Sequence, residues 1–325
     1  MKLLGLACGR KNGNGEILLK EALMGAEELG VSVEILRLLD LDVKPCIMCE
    51  RCLWREKGPD ACVLKDDGPF IWNKVMDCDA LIISVPVYAQ TPPGYIKTIA
   101  DRAIGTKVNL VRALERKKMR DSGAMLGPDI DERIFKNRAG AFISVAGASN
   151  PHWLALGLPL LHTITFPLRI AIVDQLQVGG AGALGEVLLN EKAIERARRL
   201  GRHVAEAMGK PFDEVKYRGD EPGTCPVCHS NLLMVTKKNP VACPVCGISG
   251  EIKVVGDEIT VTFSEEEQKK SRLTIEGAKI RSQQIRDAAI AFERRKDEVA
   301  AKLEKYKSYK SYVKPPSKLK KRDIV

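Results

Sequence analysis

Four cysteines fall within seventeen residues: Cys46, Cys49 and Cys52 at two-residue gaps, followed by Cys62. Tight turns are enough to bring sulfurs at that spacing around one small object. A [4Fe–4S] cluster takes one thiolate per iron, and three close cysteines with a looser fourth is a recurrent way to supply them. Mononuclear zinc also takes four thiolates, but usually from two separated knuckles. The bland alternative, a disulfide or free thiols, fits poorly with the reducing compartment inferred below.

Separated knuckles do occur further on, as Cys225 with Cys228 and Cys243 with Cys246, fourteen residues apart. They specify a tetrahedral four-thiolate site that staples a module too small to rest on its own core. Zinc is the default occupant. Mononuclear iron is the rival, because the same thiolates serve both metals and iron would make the module redox-active. His229 adjoins Cys228 but reads as a surface residue, since four cysteines complete the site.

A third stretch is suited to an anion. The loop from Cys8 to Gly15 joins a short apolar strand, Lys2 to Cys8, to a helix whose apolar residues Ile17, Leu18, Ala22, Leu23 and Ala26 recur at helical spacing before Gly30. Small and polar loop residues present backbone N–H groups at a positive helix N-terminus, and Arg10 adds a planar donor. The loop carries neither a dinucleotide-binding nor a Walker pattern. A second loop follows the strand Ala80 to Val85, where Pro86, Val87 and Tyr88 precede Pro92 and Pro93. Tyr88 can stack on a flat ring, and the flanking prolines stiffen the backbone around it. Gly147, in the loop after the strand Ala139 to Val145, is a candidate edge of the same ligand site. His152 follows that loop and is more simply a hydrogen-bonded residue than an acid; Cys78 reads as packing, and Asp66 and Asp67 as a helix cap. No serine–histidine–aspartate set or carboxylate pair stands out, so no protein group is assigned as catalytic and the chemistry falls to cofactors.

The elements that must position these loops alternate strand and helix. Further segments are a strand Val31 to Leu36, helices Pro69 to Met76, through Arg116, Trp153 to Thr163 and Glu191 to Met208, and a strand Leu168 to Val173. The alternation predicts an α/β fold with a doubly wound parallel sheet over residues 1–210 that carries the cysteine loop 46–62. A small four-cysteine ribbon module over 221–263 follows, with strands Leu232 to Val235, Glu251 to Val255 and Glu258 to Phe263. The last part, 264–325, opens on a capping box at Ser264 and runs into a charged helical extension, with Gly277 as a candidate break.

Charge narrows the partners. The net charge is +10, but from Lys302 onward nine Lys or Arg face only Glu304 and Asp323. The basicity is therefore local and reads as a solvated tail, with nucleic acid an unlikely partner. The opening residues run straight into an apolar strand without the pattern of a signal peptide, and no apolar run approaches a membrane span. The expectation is a cytoplasmic protein with ten reduced cysteines.

In chain order, the run from Gly5 to Asn14, the Cys46, Cys49, Cys52 triplet, Lys65 to Asp67, Ser84 to Tyr88 with Pro92 and Pro93, and Asp101 with Arg102 resemble one family. This is the iron–sulfur flavoprotein branch of the NADPH-dependent FMN reductase family, which is flavodoxin-like, and the likeness covers about the first 210 residues. It implies that FMN is bound, with its phosphate held by Arg10, Asn12, Asn14 and Gly15 and its ring lined by Pro86, Val87 and Tyr88. It also implies a [4Fe–4S] cluster on Cys46, Cys49, Cys52 and Cys62, and a homo-oligomer, dimer or tetramer. A cluster passes single electrons and FMN takes one or two, so the expected function is transfer between a one-electron donor such as a ferredoxin-like protein and a two-electron acceptor. The alternatives are an NAD(P)H-dependent FMN or quinone reductase without a cluster, and a zinc-ribbon nucleic-acid or protein-binding protein on a flavodoxin-like scaffold. Cys8 and Gly15 stand where the family usually has Ser and Thr, which leaves phosphate binding to backbone N–H groups.

Overall fold

Five segments become parallel strands in the computed structural model, which describes residues 1–49, 51–54, 62–104, 109–123, 130–220 and 222–313. They are β1 (Lys2–Ala7), β2 (Ser32–Arg37), β3 (Ala80–Pro86), β4 (Ala139–Val145) and β5 (Ala171–Val178), in the order β2-β1-β3-β4-β5. β1, β3 and β4 are almost wholly buried, as their unbroken apolar sequences require of central parallel strands. This is the flavodoxin-like doubly wound order, with its switch point between β1 and β3.

Helices cover both faces. α1 (Asn14–Glu27) packs one face together with α8 (Glu191–Ala207); the short α2 (Arg51–Trp54) lies in the cysteine loop. α3 (Gly68–Asp77), α4 (Gly94–Asp101) and α5 (Leu110–Asp121) cover the other, around Ile71, Trp72, Ile96, Ile99 and Phe142. The single helix expected over 153–163 is instead a chain of short turns, including α6 (Pro151–Leu154) and α7 (His162–Thr165), with Pro159, which has no N–H to donate, opening a 3-10 turn in its middle. β5 starts at Ala171 rather than Leu168, since Arg169 takes a left-handed φ of 50° that ends the preceding turn. Its polar residues are used: Asp174 pairs with Arg196 and His203, while Gln175 and Gln177 donate to carbonyls.

The ribbon is a three-stranded sheet, β6 (Val241–Ala242), β7 (Ser249–Val255) and β8 (Glu258–Thr262). The strand expected at 232–235 reduces to one bridge between Met234 and Ala242. Ser264 caps α9 (Glu265–Lys269) through Glu267 N–H at 3.2 Å, but the Glu267 carboxylate accepts from Ser249 N–H at 3.0 Å, tying the helix to the ribbon. α10 (Ile275–Glu293) and α11 (Lys296–Lys307) follow. The helical breaks fall at 270–274 and 294–295, whereas Gly277 lies inside α10, where a Cβ would meet Ser271 O at 2.0 Å.

Met1–Lys279 form one compact unit, so the ribbon belongs with the sheet, and Ile280–Val325 form a second. In the second unit Ile280, Ile290, Phe292 and Leu303 are exposed. The basic tail beyond Val313 lies outside the described residues, as do residues 50 and 55–61 of the cysteine loop and parts of the insertion after α4. Among the described residues, no helix is long and apolar enough to cross a membrane.

Candidate functional site

At the switch point the loops after β1 and β3 diverge, and a cavity of about 300 Å³ opens between them. Arg10, Asn14, Gly15, Pro86, Val87, Tyr88 and Gly147 line it; Asn12 does not. Asn12 serves the loop differently, with a left-handed φ of 54° that turns the chain into α1.

The N-terminus of α1 forms one wall. The first helical bond runs from Ile17 N–H to Gly13 O, so the N–H groups of Asn14, Gly15 and Glu16 have no acceptor within the helix. The Asn14 side chain is already committed: its amide donates to Ala181 O and Ala183 O, both at 2.8 Å, and its oxygen accepts from Val187 N–H at 3.1 Å. What Asn14 offers a ligand is its backbone N–H. Glu16 is kept off the anion: hydrogen bonding to Arg37 holds its carboxyl down at about 2, directed towards the end of β2. Arg10 reaches across to Gly182 O at 3.5 Å, and its guanidinium stays exposed.

Gly15 explains the missing hydroxyl. A Cβ there would lie 3.0 Å from Ser84 Oγ, which itself donates to Gly15 O at 2.7 Å. Cys8 points the other way, into the core, and burial pushes its thiol far above the ordinary range.

The opposite wall is a tight hairpin. Val87 N–H extends the β3–β4 pairing by donating to Val145 O at 2.8 Å. Tyr88 and Thr91 then exchange both backbone hydrogen bonds around Ala89 and Gln90, whose φ values are 47° and 71°. Two positive φ angles mark the mirror-image turn that suits a tight hairpin. Tyr88 is left half exposed beside the cavity.

Sequence reasoning missed the third wall, Ala181 and Gly182 in the loop after β5. The signal was present as the small-residue run Gly179 to Ala183, but the strand before it was placed too early. Gly147 and Gly182 close this wall by near contact, since a Cβ on Gly147 would lie 3.1 Å from Gly182 Cα. His152 is exposed and is not among the cavity-lining residues. These features fit FMN: free helix N–H groups and an arginine for a phosphate, stiff backbone and a tyrosine for a flat ring, and a cradle that added side chains would fill.

The two cysteine sets differ in geometry. In the ribbon all four Sγ atoms lie within 4.8 Å of one another, with Cys225 3.7 Å from Cys246 and Cys228 3.5 Å from Cys243. A metal with bonds of about 2.3 Å to sulfur gives tetrahedral edges of roughly 3.8 Å, so the set fits one ion. His229 is not a ligand: it stacks on Tyr217 with ring centroids 3.5 Å apart.

Cys46, Cys49, Cys52 and Cys62 form no such tight group among the described residues. They are nonetheless neighbours: burial raises the Cys52 thiol, and the nearby Cys62, Cys46 and Cys49 raise it further. Four free thiols carried by one loop are a ligand set suited to a metal centre. Of the two aspartates expected to cap α3, Asp66 accepts from Gly68 N–H at 3.0 Å, whereas Asp67 holds the N-cap position without a side-chain cap bond. Asp67 accepts from Asp42 N–H and Asp66 from Lys44 N–H, both at 2.8 Å, so the pair closes the base of the cysteine loop.

Similar proteins bear on this site. The model of the NADPH-dependent FMN reductase family matches residues 1–169. A flavone synthase of Aspergillus candidus is 34% identical over 269 residues, 81% of each chain. An iron–sulfur flavoprotein of Methanocaldococcus jannaschii is 26% identical over 216 residues, 64% of this chain and 97% of that protein. The solved structure of a flavone reductase superposes with a TM-score of 0.80 at 25% identity, covering 97% of this chain and 100% of that one.

Proposed function

The chain belongs to the NADPH-dependent FMN reductase family and is a flavin-dependent oxidoreductase, and on that premise we propose that it joins one-electron to two-electron chemistry. FMN occupies the switch-point cavity, and Cys46, Cys49, Cys52 and Cys62 hold a [4Fe–4S] cluster fed by a ferredoxin-like donor. The observation that carries this reading is the pairing of a cavity lined by the α1 N-terminus, Arg10 and the Pro86 to Tyr88 loop with a loop of four free cysteines in one compact unit.

When bound, FMN supplies the exchange between single electrons and pairs that a cluster alone lacks. The chain orients it. The N–H groups at the start of α1 and Arg10 meet the phosphate, while Pro86, Val87 and Tyr88 hold the ring at the end of β3. The ribbon takes a single zinc ion and is structural. Its four thiols are buried and mutually close, so together they would fill a tetrahedral coordination shell and leave no open position.

The near full-length likeness to a flavone reductase favours a specific acceptor: a planar aromatic ketone with a conjugated C=C bond, which takes up two electrons and two protons. Half-exposed Tyr88 gives such a ring a face to lie against.

Oxygen-free purification with iron, sulfide, zinc and flavin analysis tests the cofactors. Stoichiometric FMN and zinc with four irons and four sulfides per chain is the expected result; FMN without iron overturns the cluster. Anaerobic mixing with NADPH alone then tests the donor, because rapid flavin bleaching without a donor protein would restore the plain NAD(P)H-dependent reductase.

A further inference from the structure

One buried ion pair beside the cysteine loop has no part in holding FMN. Arg102, just after α4, has a side chain only 3% exposed, and the side chain of its partner Asp66 is 0% exposed. The two terminal nitrogens of Arg102 carry four hydrogens and meet four acceptors. Nη1 donates to Lys44 O at 2.9 Å and Asp66 Oδ2 at 2.6 Å; Nη2 donates to Asp66 Oδ1 at 2.9 Å and to Cys62 Sγ at 3.2 Å. Resting on the cluster reading above, we propose that Arg102 is a positioning residue that fixes Cys62 as the fourth ligand and tunes the centre by donating to its sulfur.

Three features make this more than a surface contact. The fork spans both arms of the loop, since Lys44 lies two residues before Cys46 and Cys62 closes the set. The backbone has been cleared for it: a Cβ on Gly68 would lie 2.7 Å from Arg102 Nη2 and 3.0 Å from Asp66 Oδ1. Asp66 is anchored in turn, accepting from Lys44 N–H at 2.8 Å and Gly68 N–H at 3.0 Å. Lysine cannot replace this arrangement, because only a planar guanidinium offers parallel donors to a carboxylate with one hydrogen left over for sulfur.

The electrostatic consequence has a sign. Asp66 neutralises Arg102, so the pair brings no net charge, yet its outward hydrogen is aimed at one sulfur. Hydrogen bonds to the sulfurs are one of the levers that set a cluster's potential. Adding an electron makes the centre more negative and strengthens such a bond, so the bond favours the reduced form. Removing it must lower the midpoint potential.

The test uses full-length protein purified without oxygen: wild type, Arg102→Lys, and the double variant Arg102→Met with Asp66→Asn, which strands no buried charge. Iron and FMN per chain, thermal midpoint, the EPR spectrum of the dithionite-reduced protein and the cluster midpoint potential are measured. Arg102→Lys should keep iron, change the EPR line shape and shift the reduction equilibrium at least tenfold towards the oxidised form, about 59 mV for one electron. The double variant should show the same shift, or lose iron while keeping FMN and its thermal midpoint. Variants that keep iron with the wild-type potential and spectrum overturn the inference while the cluster reading stands. Loss of iron, FMN and fold together in both variants also overturns it, because the pair is then only a fold element. A wild-type protein without iron overturns the cluster reading itself and this inference with it.

Discussion

The molecule holds two sets of four cysteines, and they differ in almost every physical respect. The ribbon thiols are buried, and their knuckle backbones are hydrogen-bonded around them: Cys225 N–H donates to Ser230 O and Cys243 N–H to Ile248 O. In the loop at 46–62, Cys49 is exposed, the other three are half-buried, and Cys62 is supported by the side chain of Arg102, forty residues away, which Asp66 holds in place. A closed site made from its own turns holds a fold together. A partly buried site propped by a side chain from another element is the one suited to exchanging electrons under the function proposed above. Residue type alone does not separate these roles; the source of the second layer of contacts does.

The sharpest way to break this comparison is to remove one ligand from each set. Cys243→Ser should release the ribbon metal and unfold residues 222–263, because the binding free energy of a structural zinc, of order 10 kcal/mol or more, is here folding free energy. Hydrogen exchange should show lost protection across β6 to β8, with ribbon metal absent by analysis. A ribbon that kept its protection would remove the distinction.

The matching change in the loop should act on chemistry and spare the fold. Cys49→Ser should strip cluster iron and abolish donor-driven turnover while FMN content holds. Stability should move by less than about 1 kcal/mol, as for an exposed substitution. Equal thermal destabilisation by Cys49→Ser and Cys243→Ser would show both sets to be structural.

Acid separates the two sets by a smaller effect. Burial alone would raise the Asp66 carboxyl, but Arg102 and the N–H groups of Lys44 and Gly68 outweigh it and hold it down at about 2. Its folded value is thus below the unfolded one. The stability it contributes is complete above the ordinary carboxyl range and is lost as pH falls through about 2. Ribbon thiolates compete with protons at much higher pH, so metal should leave first. Titration followed by a chromophoric chelator and by circular dichroism should show two steps, and Asp66→Asn should remove the lower one.

How much of this was legible in the sequence depends on the range of the interaction concerned. The β1 loop and α1, the Pro86 to Tyr88 loop and the four ribbon cysteines were readable because local spacing fixes them. β5 was misplaced because Asp174, Gln175 and Gln177 look unlike a parallel strand until their partners in α8, the ribbon and α6 are known. Misplacing it hid Ala181 and Gly182, the third wall of the cavity. The roles of Asp66 and Arg102 were invisible for the same reason: thirty-six residues separate them, and only the folded chain shows Arg102 donating both to the Asp66 carboxylate and to the Cys62 sulfur. Asn14 shows the opposite error. Its position in the loop was legible, but the partners that occupy its side chain lie more than 160 residues away.

The smallest prediction concerns the seam where the closed site meets the sheet. Cys228 O accepts from Gln175 Nε2 at 3.0 Å and from His162 Nε2 at 3.2 Å. Burial pushes the His162 imidazole down to about 4, so it meets this carbonyl as a neutral N–H donor, packed edge-on against Phe142. Gln175→Leu removes one donor and keeps the other, so the carbonyl stays satisfied and the cost should be about 1 kcal/mol. The informative measurement is the cooperativity of thermal unfolding as well as its midpoint. If the ribbon is welded to the sheet mainly by these two bonds, the variant should split one transition into two, with metal release preceding loss of flavin. A single transition lowered by the same small amount would mean that apolar packing at the seam carries the coupling.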